Sequence, residues 1–356
     1  MADLVAPDST TPHVASWDHP LVEPNIEDAE IRHTFANLAR VPLLGRIEGA
    51  YRQRFRLKSW QYMTAVSDEL FIAFVVGTAG FASNGFIYAA ELPSGAVHKK
   101  FAITPLMMGT RLATSSASGA HRFESRGLSV GIDNLDAGRR FAARLEARTE
   151  DGKRLTGELA FASGASDEHL SLCVPLPGGR WNYTHKFAAF GVSGHVEIGD
   201  RRFVFEPGRA FGTMDFTKMY ALRHAVWRWI AVCGKSTRGA VIGLNLVDPT
   251  PLAPISENAV WVDGKREAVT GVRLSSADTG SAAGQGAASP WTIAGDNVDV
   301  SMRAVAHVEQ KLDVPLLRHR LRHVVGAFSG HVRTASGQIH DLENVVGIAE
   351  DYDTWW

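Results

Sequence analysis

The segment 215–229 joins an acid, several cations and aromatic rings within fifteen residues. Asp215 could donate or accept a proton at the mouth of a cavity, with Lys218, Arg223 or His224 setting its charge. In the alternative interpretation, Asp215 is a turn residue paired with Arg223, because structural ion pairs resemble active sites. The sequence leaves both interpretations open.

The same segment supplies Tyr220, Trp227 and Trp229. Side chains alternate along a strand, so Arg223, Trp227 and Trp229 would share one face and His224 would point the other way. The π faces of these rings could bind an apolar ligand or stabilise positive charge on carbon. They could equally be core residues.

Two further acidic candidates lie in the second half of the chain. Glu257 and Asn258 precede a strand and could orient a hydroxyl or a water, although such residues also favour turns. Glu350 opens an acidic run before the terminal tryptophans. That run is either a solvated end or, because exposed tryptophans are unfavourable in water, part of a docked segment.

Two segments of the first half pair a lysine with aromatic residues, 58–62 and 182–186. Lys186 and Tyr183 belong to the second of them. The functional interpretation is a cationic group at a domain interface that meets Asp215 or Glu350. The alternative is a lysine whose stem covers aromatic surface while its ammonium stays in water.

Composition excludes several classes of protein. With 37 Lys+Arg against 38 Asp+Glu and 45% hydrophobic residues, the chain is neither disordered nor a basic nucleic-acid binder. Cys173 and Cys233 are isolated, and the histidines lack metal-ligand spacing, so we expect no metal and no other cofactor. The N-terminus lacks a secretory signal and no apolar run could span a membrane, which favours a cytoplasmic location.

The elements that must position these residues are strands. Turn signals such as Asp151-Gly152 and Gly199-Asp200 separate runs of β-branched and aromatic residues. The pattern predicts an all-β fold with very little helix, apart from one short helix within 26–47. We expect a flexible N-terminal arm (1–25), a first β domain (26–200) and a second β domain (201–356), each an antiparallel barrel or sandwich.

Several short motifs occur in a characteristic order: 172–177, 182–186, 215–218, Gly243-Leu244-Asn245, 257–259 and 347–351. Together they resemble the bacterial family called domain of unknown function 2804. More remotely, the chain is similar to the hydroxyneurosporene synthase (carotenoid hydratase) and AttH-like proteins. That resemblance implies two lipocalin-like (calycin-like) domains in tandem and action on isoprenoids or other apolar substrates. His185 and Met219 depart from the family pattern, and we expect them to tune the pocket.

The leading hypothesis is a cofactor-independent lyase (hydratase or dehydratase) or isomerase that moves a proton on an apolar, isoprenoid-like or cyclic molecule. Its catalytic candidates are Asp215, Glu350, Glu257 and His224. The substrate-binding candidates are Lys186, Tyr183, Lys218, Tyr220, Arg223, Trp227, Trp229, Asn245 and Asn258. The alternatives are a carrier that encloses a hydrophobic ligand without reaction, and an interaction module without a ligand. No nucleic-acid partner is expected.

Overall fold

A computed structural model describes residues 3–31, 55–249, 255–276, 290–314 and 317–355. These residues form two antiparallel sheets and two short 3-10 helices, Ile26–Asp28 and Asp136–Gly138. Each sheet curls into a half-barrel, which confirms the predicted all-β fold of two lipocalin-like domains. Most of the helix predicted within 26–47 lies outside the described residues.

The first domain contains fourteen of the described strands. They are β1 (Ala15–Trp17), β2 (Lys58–Val66), β3 (Leu70–Thr78), β4 (Ala82–Glu91), β5 (Val97–Pro105), β6 (Thr110–Arg111), β7 (Gly119–Ser125), β8 (Leu128–Leu135), β9 (Arg140–Arg148), β10 (Arg154–Ala162), β11 (Leu170–Leu176), β12 (Arg180–Ile198), β13 (Arg201–Phe205) and β14 (Phe211–Met219). The main path runs β5-β4-β3-β2-β14-β12-β10-β9-β8-β7-β6. Strand β14 therefore lies between the early strand β2 and the long strand β12.

The second domain follows with nine strands in the part of the chain that the structure describes. They are β15 (His224–Lys235), β16 (Val241–Asp248), β17 (Ala259–Val262), β18 (Lys265–Ala268), β19 (Arg273–Ser276), β20 (Trp291–Gly295), β21 (Val298–Val314), β22 (Leu317–Arg333) and β23 (Ile339–Trp355). Their order is β18-β17-β16-β15-β23-β22-β21-β20-β19. The C-terminal strand β23 is thus central in its sheet.

The change of sheet falls between Met219 and His224, about twenty residues beyond the predicted boundary at 200. Strand β14 belongs to the first sheet because it completes the hydrogen bonding between β2 and β12. The turn signal Gly199-Asp200 joins β12 to β13 within that sheet. Turn composition marks a hairpin but does not distinguish one within a sheet from a connection between sheets.

The N-terminal residues pack against the first domain. Leu4, Val5 and Leu21 are buried, and the strand Ala15–Trp17 pairs with Leu170–Leu176. Burying these apolar side chains against the half-barrel is favourable, which explains why this N-terminal segment lies on the first domain.

Three apolar clusters organise the molecule. One fills the first half-barrel and a second fills the other half-barrel. The third combines residues of both domains, including Tyr62, Tyr88, Trp229 and Tyr352. No helix among the described residues has the length and apolarity to cross a membrane.

Candidate active site

A cavity of about 200 Å³ lies between the two domains. Strands β2 to β5, β12 and β14 supply its first-domain wall, and strands β15, β16 and β21 to β23 supply most of the opposite wall. Val75, Phe86 and Ile103 contribute apolar surface, whereas carboxylates, a lysine and histidines contribute charge and hydrogen bonds. The cavity is therefore apolar over much of its surface and polar at defined places.

Asp215 forms the first polar group of the cavity. Strand pairing sets it opposite Tyr62 on one side and Lys186 on the other. Its Oδ1 atom accepts hydrogen bonds from the hydroxyls of Thr184 (3.2 Å) and Thr217 (3.0 Å). Because Trp60 donates its indole N–H to Oδ2 at 3.0 Å, both carboxylate oxygens are occupied.

Lys186 joins Asp215 to a second carboxylate. Its Nζ atom lies 2.6 Å from Glu257 Oε2 and 3.4 Å from Asp215 Oδ1. Burial lowers the pKa of the Lys186 ammonium, but the two carboxylates outweigh burial and raise it above its ordinary value. The ammonium also lies 5.1 Å from the centre of the Trp229 ring. Lys186 is thus held charged, and the prediction that it meets Asp215 at the domain interface is correct.

Glu350 forms the second polar group, on the wall of the second domain. It is paired across strands with His323, whose Nε2 lies 2.5 Å from Glu350 Oε2. Its Oε1 accepts the indole N–H of Trp227 at 2.6 Å. The carboxylate is buried, and it is held between an imidazole and an indole. His323 and Trp227 therefore fix the orientation of the Glu350 carboxylate.

Two tyrosines extend this group into the first domain. The Tyr88 hydroxyl lies 2.9 Å from Nδ1 of His323, and the Tyr62 hydroxyl lies 3.3 Å from that of Tyr88. Burial raises the pKa of Tyr62 well above its ordinary value, and Tyr88, Glu350 and Asp215 raise it further. Burial likewise raises the pKa of Tyr88. Both phenols therefore stay protonated at neutral pH.

The predicted strand alternation is confirmed for the aromatic residues. Trp227 and Trp229 both line the cavity, and Trp227 stacks on Tyr352 with ring centres 4.0 Å apart. Asn245 lies behind Trp229 and accepts its indole N–H at 2.8 Å. Asn245 therefore orients an aromatic ring of the wall and does not itself line the cavity.

Some predicted site residues lie elsewhere. His224 is exposed, pairs with Asp353 and stacks on Trp355, because it occupies the outward face of its strand. Arg223 is also exposed, so neither residue sets the charge of Asp215. Asn258 is buried but bonds the backbone of Val247, which makes it a loop anchor.

Other predicted residues face the interior of the first domain. The Tyr183 hydroxyl accepts the backbone N–H of Leu21, and Lys218 pairs with Glu27 at 2.6 Å. Tyr220 is buried and follows the last strand of that sheet. His185 also lies in this interior, whereas Met219 lines the cavity. Each one-residue step along a strand changes the face, which separates Tyr183 and His185 from Lys186.

The sequence interpretation missed the roles of Tyr62, Tyr88 and His323 at this site. A signal existed for His323, since His319 and His323 are four residues apart and share one face if the segment is a strand. Both histidines line the cavity. Burial lowers the pKa of His319 to about 4, so that side chain is neutral. Across the described ranges, His, Cys, Asp and Glu side chains form no cluster of three suited to a metal ion.

The chain belongs to the family named domain of unknown function DUF2804, whose model matches residues 32–356. This confirms the family resemblance. A search of curated proteins finds no match.

Three solved structures are similar. CghA with Sch210972 has a TM-score of 0.56 and 13% identity, over 83% of this chain and 87% of that one. An AttH-like protein from Nitrosomonas europaea has a TM-score of 0.49 and 13% identity, over 83% of this chain and 92% of that one. Kievitone hydratase from Nectria haematococca has a TM-score of 0.48 and 11% identity, over 85% and 91%. At this identity CghA shares the fold alone, and the other two scores are too low to add support.

Proposed function

We propose that this protein is an enzyme that moves a proton on an apolar small molecule, with addition of water, elimination of water or isomerisation as the outcome. One observation carries the proposal. Buried carboxylates from both domains, Asp215 and Glu350, line the same aromatic cavity, and each is held by specific donors. Pairs of acidic groups in different environments are typical of acid–base catalysis.

The two carboxylates have different surroundings and therefore different proposed roles. Asp215 is bound by the Lys186 ammonium and by hydroxyl and indole donors. As a fixed anion it would stabilise positive charge developing on the substrate. Glu350 is bonded to His323, and an imidazole can donate and accept protons near neutral pH. The His323–Glu350 pair is therefore the proposed source of the proton.

The walls support an apolar substrate. Phe86, Val75 and Ile103 offer hydrocarbon contacts, while Trp229 and Trp227 offer π faces to a cationic carbon. We propose an isoprenoid-like or cyclic molecule whose reaction needs no metal or redox cofactor. Among proteins of this fold, CghA has been crystallised with Sch210972, a precedent for a small-molecule ligand. A cytoplasmic location stays a prediction.

A carrier is the second candidate, favoured by the large apolar share of the lining. A carrier needs polar groups only to fix the orientation of its ligand. The ion-paired Asp215, Lys186 and Glu257 serve that purpose as well as catalysis. Detection of turnover therefore separates the two candidates.

The test follows carbon-bound deuterium by mass spectrometry in D2O, with geraniol, farnesol and isophorone as probes. An enzyme of the proposed kind incorporates solvent deuterium into at least one of them. Glu350→Gln should lower that rate by about 10²-fold or more, the usual scale for acid–base groups. The matched control is Glu91→Gln, which alters another buried His–Glu pair, His98–Glu91, outside the cavity.

Binding of the probes is measured in parallel by tryptophan fluorescence. Saturable binding without deuterium in any probe would contradict the enzyme and favour the carrier. Equal losses in Glu350→Gln and Glu91→Gln would show that the effect comes from disturbed folding and not from the cavity.

A further inference from the structure

Tyr62 lies between the two polar groups of the cavity. Its ring packs edge-on against Trp229, with centres 5.6 Å apart, and against His323, with centres 5.8 Å apart. Strand pairing sets Tyr62 directly opposite Asp215. Its side chain lines the cavity and is otherwise buried. A substrate held near Asp215 is therefore also near the Tyr62 side chain.

The carboxylates themselves are poorly placed to give a proton. Glu350 accepts a hydrogen bond at Oε1 from Trp227 and faces His323 at Oε2. Both oxygens of Asp215 also accept hydrogen bonds. A carboxylate oxygen that accepts a hydrogen bond from a fixed donor carries no proton that points at a ligand. The donor that meets the substrate must then be another group of the wall.

A continuous chain of hydroxyls leads from His323 to the cavity. Nδ1 of His323 lies 2.9 Å from the Tyr88 hydroxyl, which lies 3.3 Å from that of Tyr62. Tyr88 is fully buried, so its hydroxyl can exchange protons only with the groups beside it. The longer Tyr88–Tyr62 contact leaves the Tyr62 hydroxyl free to turn towards a ligand.

Resting on the proposed function, we propose that Tyr62 is the catalytic residue that gives the proton to the substrate, and that Tyr88 and His323 resupply it. Glu350 acts through His323 as a positioning residue. The ligand is an unsaturated apolar molecule that presents an electron-rich double bond to the Tyr62 hydroxyl.

The π electron pair of the substrate forms a C–H bond to the Tyr62 proton, while the Tyr88 proton moves to Tyr62 and the His323 Nδ1 proton moves to Tyr88. Both phenols end neutral, as they began. The positive charge passes from the imidazolium to carbon, near the Asp215 carboxylate. Water then adds to the cationic carbon, or a neighbouring C–H bond breaks, giving hydration or isomerisation. The released proton returns through Tyr62 and Tyr88 to Nδ1 of His323, which restores the imidazolium.

The electrostatics of the phenols fit this role. Burial and the nearby carboxylates raise the pKa of Tyr62 well above its usual value, so the hydroxyl remains a neutral donor and does not become a phenolate. A transferred proton must be replaced at once, because a phenolate is strongly disfavoured there. The Tyr88–His323 chain provides that replacement.

The experiment compares Tyr62→Phe and Tyr88→Phe with Tyr183→Phe in the D2O assay with the same three probes. Tyr183 is the matched control because its buried hydroxyl bonds Leu21 in the interior of the first domain. We expect the first two variants to lose about 10²-fold or more of the rate, with probe binding unchanged. Tyr183→Phe should keep the rate, whatever it does to the melting temperature.

A second readout tests the proton relay from His323 through Tyr88 to Tyr62. The rate measured in mixtures of H2O and D2O should curve with deuterium fraction in the wild type, because several protons move together, and become linear in Tyr88→Phe. If Tyr88 had only a structural role, Tyr88→Phe would leave the shape of this curve unchanged. If Tyr62→Phe does not fold, Tyr62→3-fluorotyrosine keeps the hydroxyl but acidifies it, and the rate should change several-fold.

The outcomes separate the two proposals. Tyr62→Phe with at least half the wild-type rate, alongside a large loss in Glu350→Gln, would overturn the relay and leave the proposed function standing. An unchanged rate in Tyr62→3-fluorotyrosine would do the same. No deuterium in any probe with the wild type would overturn both.

Discussion

His185 and Lys186 are neighbours in sequence but belong to different chemical regions. Strand β12 turns His185 into the interior of the first domain and Lys186 into the cavity. Across the strands, His185 faces Phe216, whereas Lys186 faces Asp215. The same sheet thus has one face that is a core and another that forms a site, and alternation along the strand keeps them apart.

The difference is clearest in a comparison of two buried histidine networks, one on each face. In the core, His185 bonds Ser116 at 2.7 Å and His169 at 2.8 Å, without a carboxylate. Burial, with the neighbouring imidazole, lowers the pKa of His185 well below its ordinary value. In the cavity, His323 is just as buried but touches Glu350. Burial without a carboxylate partner thus favours a neutral His185, whereas His323 has a carboxylate within hydrogen-bond distance.

The largest effect is expected from removing the cation of the cavity face. Lys186→Met leaves the buried carboxylates of Asp215 and Glu257 without their ammonium, and the free energy of unfolding should fall by roughly 3 to 5 kcal/mol. Lys265→Met, which removes an exposed partner of Glu168, should change it by less than about 1 kcal/mol. Urea denaturation measures the free energy of unfolding of both variants. Similar losses in the two would contradict the expected difference between the buried and the exposed lysine.

Replacing His323 or His185 by glutamine separates an effect on activity from an effect on stability. His323→Gln should lower the rate of deuterium incorporation by about 10²-fold or more, since the proton source is lost. His185→Gln should leave that rate unchanged but lower the free energy of unfolding by about 1 to 3 kcal/mol, because Ser116 and His169 lose their partner. Loss of activity in both variants would erase the distinction between the faces.

Acid should unfold the protein partly through the core network. Burial lowers the pKa of His169 from 6.5 to about 3, so the unfolded chain binds a proton there that the folded chain does not. The contribution of His169 to the free energy of unfolding is therefore fully present above pH 6.5 and is lost as the pH falls towards 3. The slope should approach about 1.4 kcal/mol per pH unit for this histidine.

Urea titrations at several pH values measure this slope. His169→Gln is the comparison, because glutamine does not titrate, and its slope should be shallower than that of the wild type. Parallel curves for the two proteins would show that His169 is already protonated in the folded state.

The smallest effect is expected at His224, which the sequence suggested as catalytic and which lies on the surface. Its contact with Asp353 is solvent-exposed, so His224→Ala should alter the free energy of unfolding by less than about 1 kcal/mol. The rate of deuterium incorporation should equal that of the wild type. A pronounced loss of activity would place this histidine at the site after all.

Much of the fold was predictable because it depends on local pattern. Turn residues and β-branched runs indicated antiparallel strands, and period-two alternation placed Trp227 and Trp229 on one face. The change of sheet between Met219 and His224 was not predictable in this way. Whether β14 stays in the first sheet depends on hydrogen bonds to β2, some 150 residues earlier, which no local signal encodes.

The candidate site was likewise predictable from the sequence only in part. The sequence by itself determined the chemical types, so that Asp215, Lys186 and Glu350 stood out as titratable groups among aromatics. Only the tertiary structure decided their partners: His323 meets Glu350 through strand register, and Tyr88 meets His323 across the domain interface, 235 positions apart. The physical reason is that side-chain chemistry and alternation are local properties, whereas burial and pairing depend on distant strands that close around one cavity.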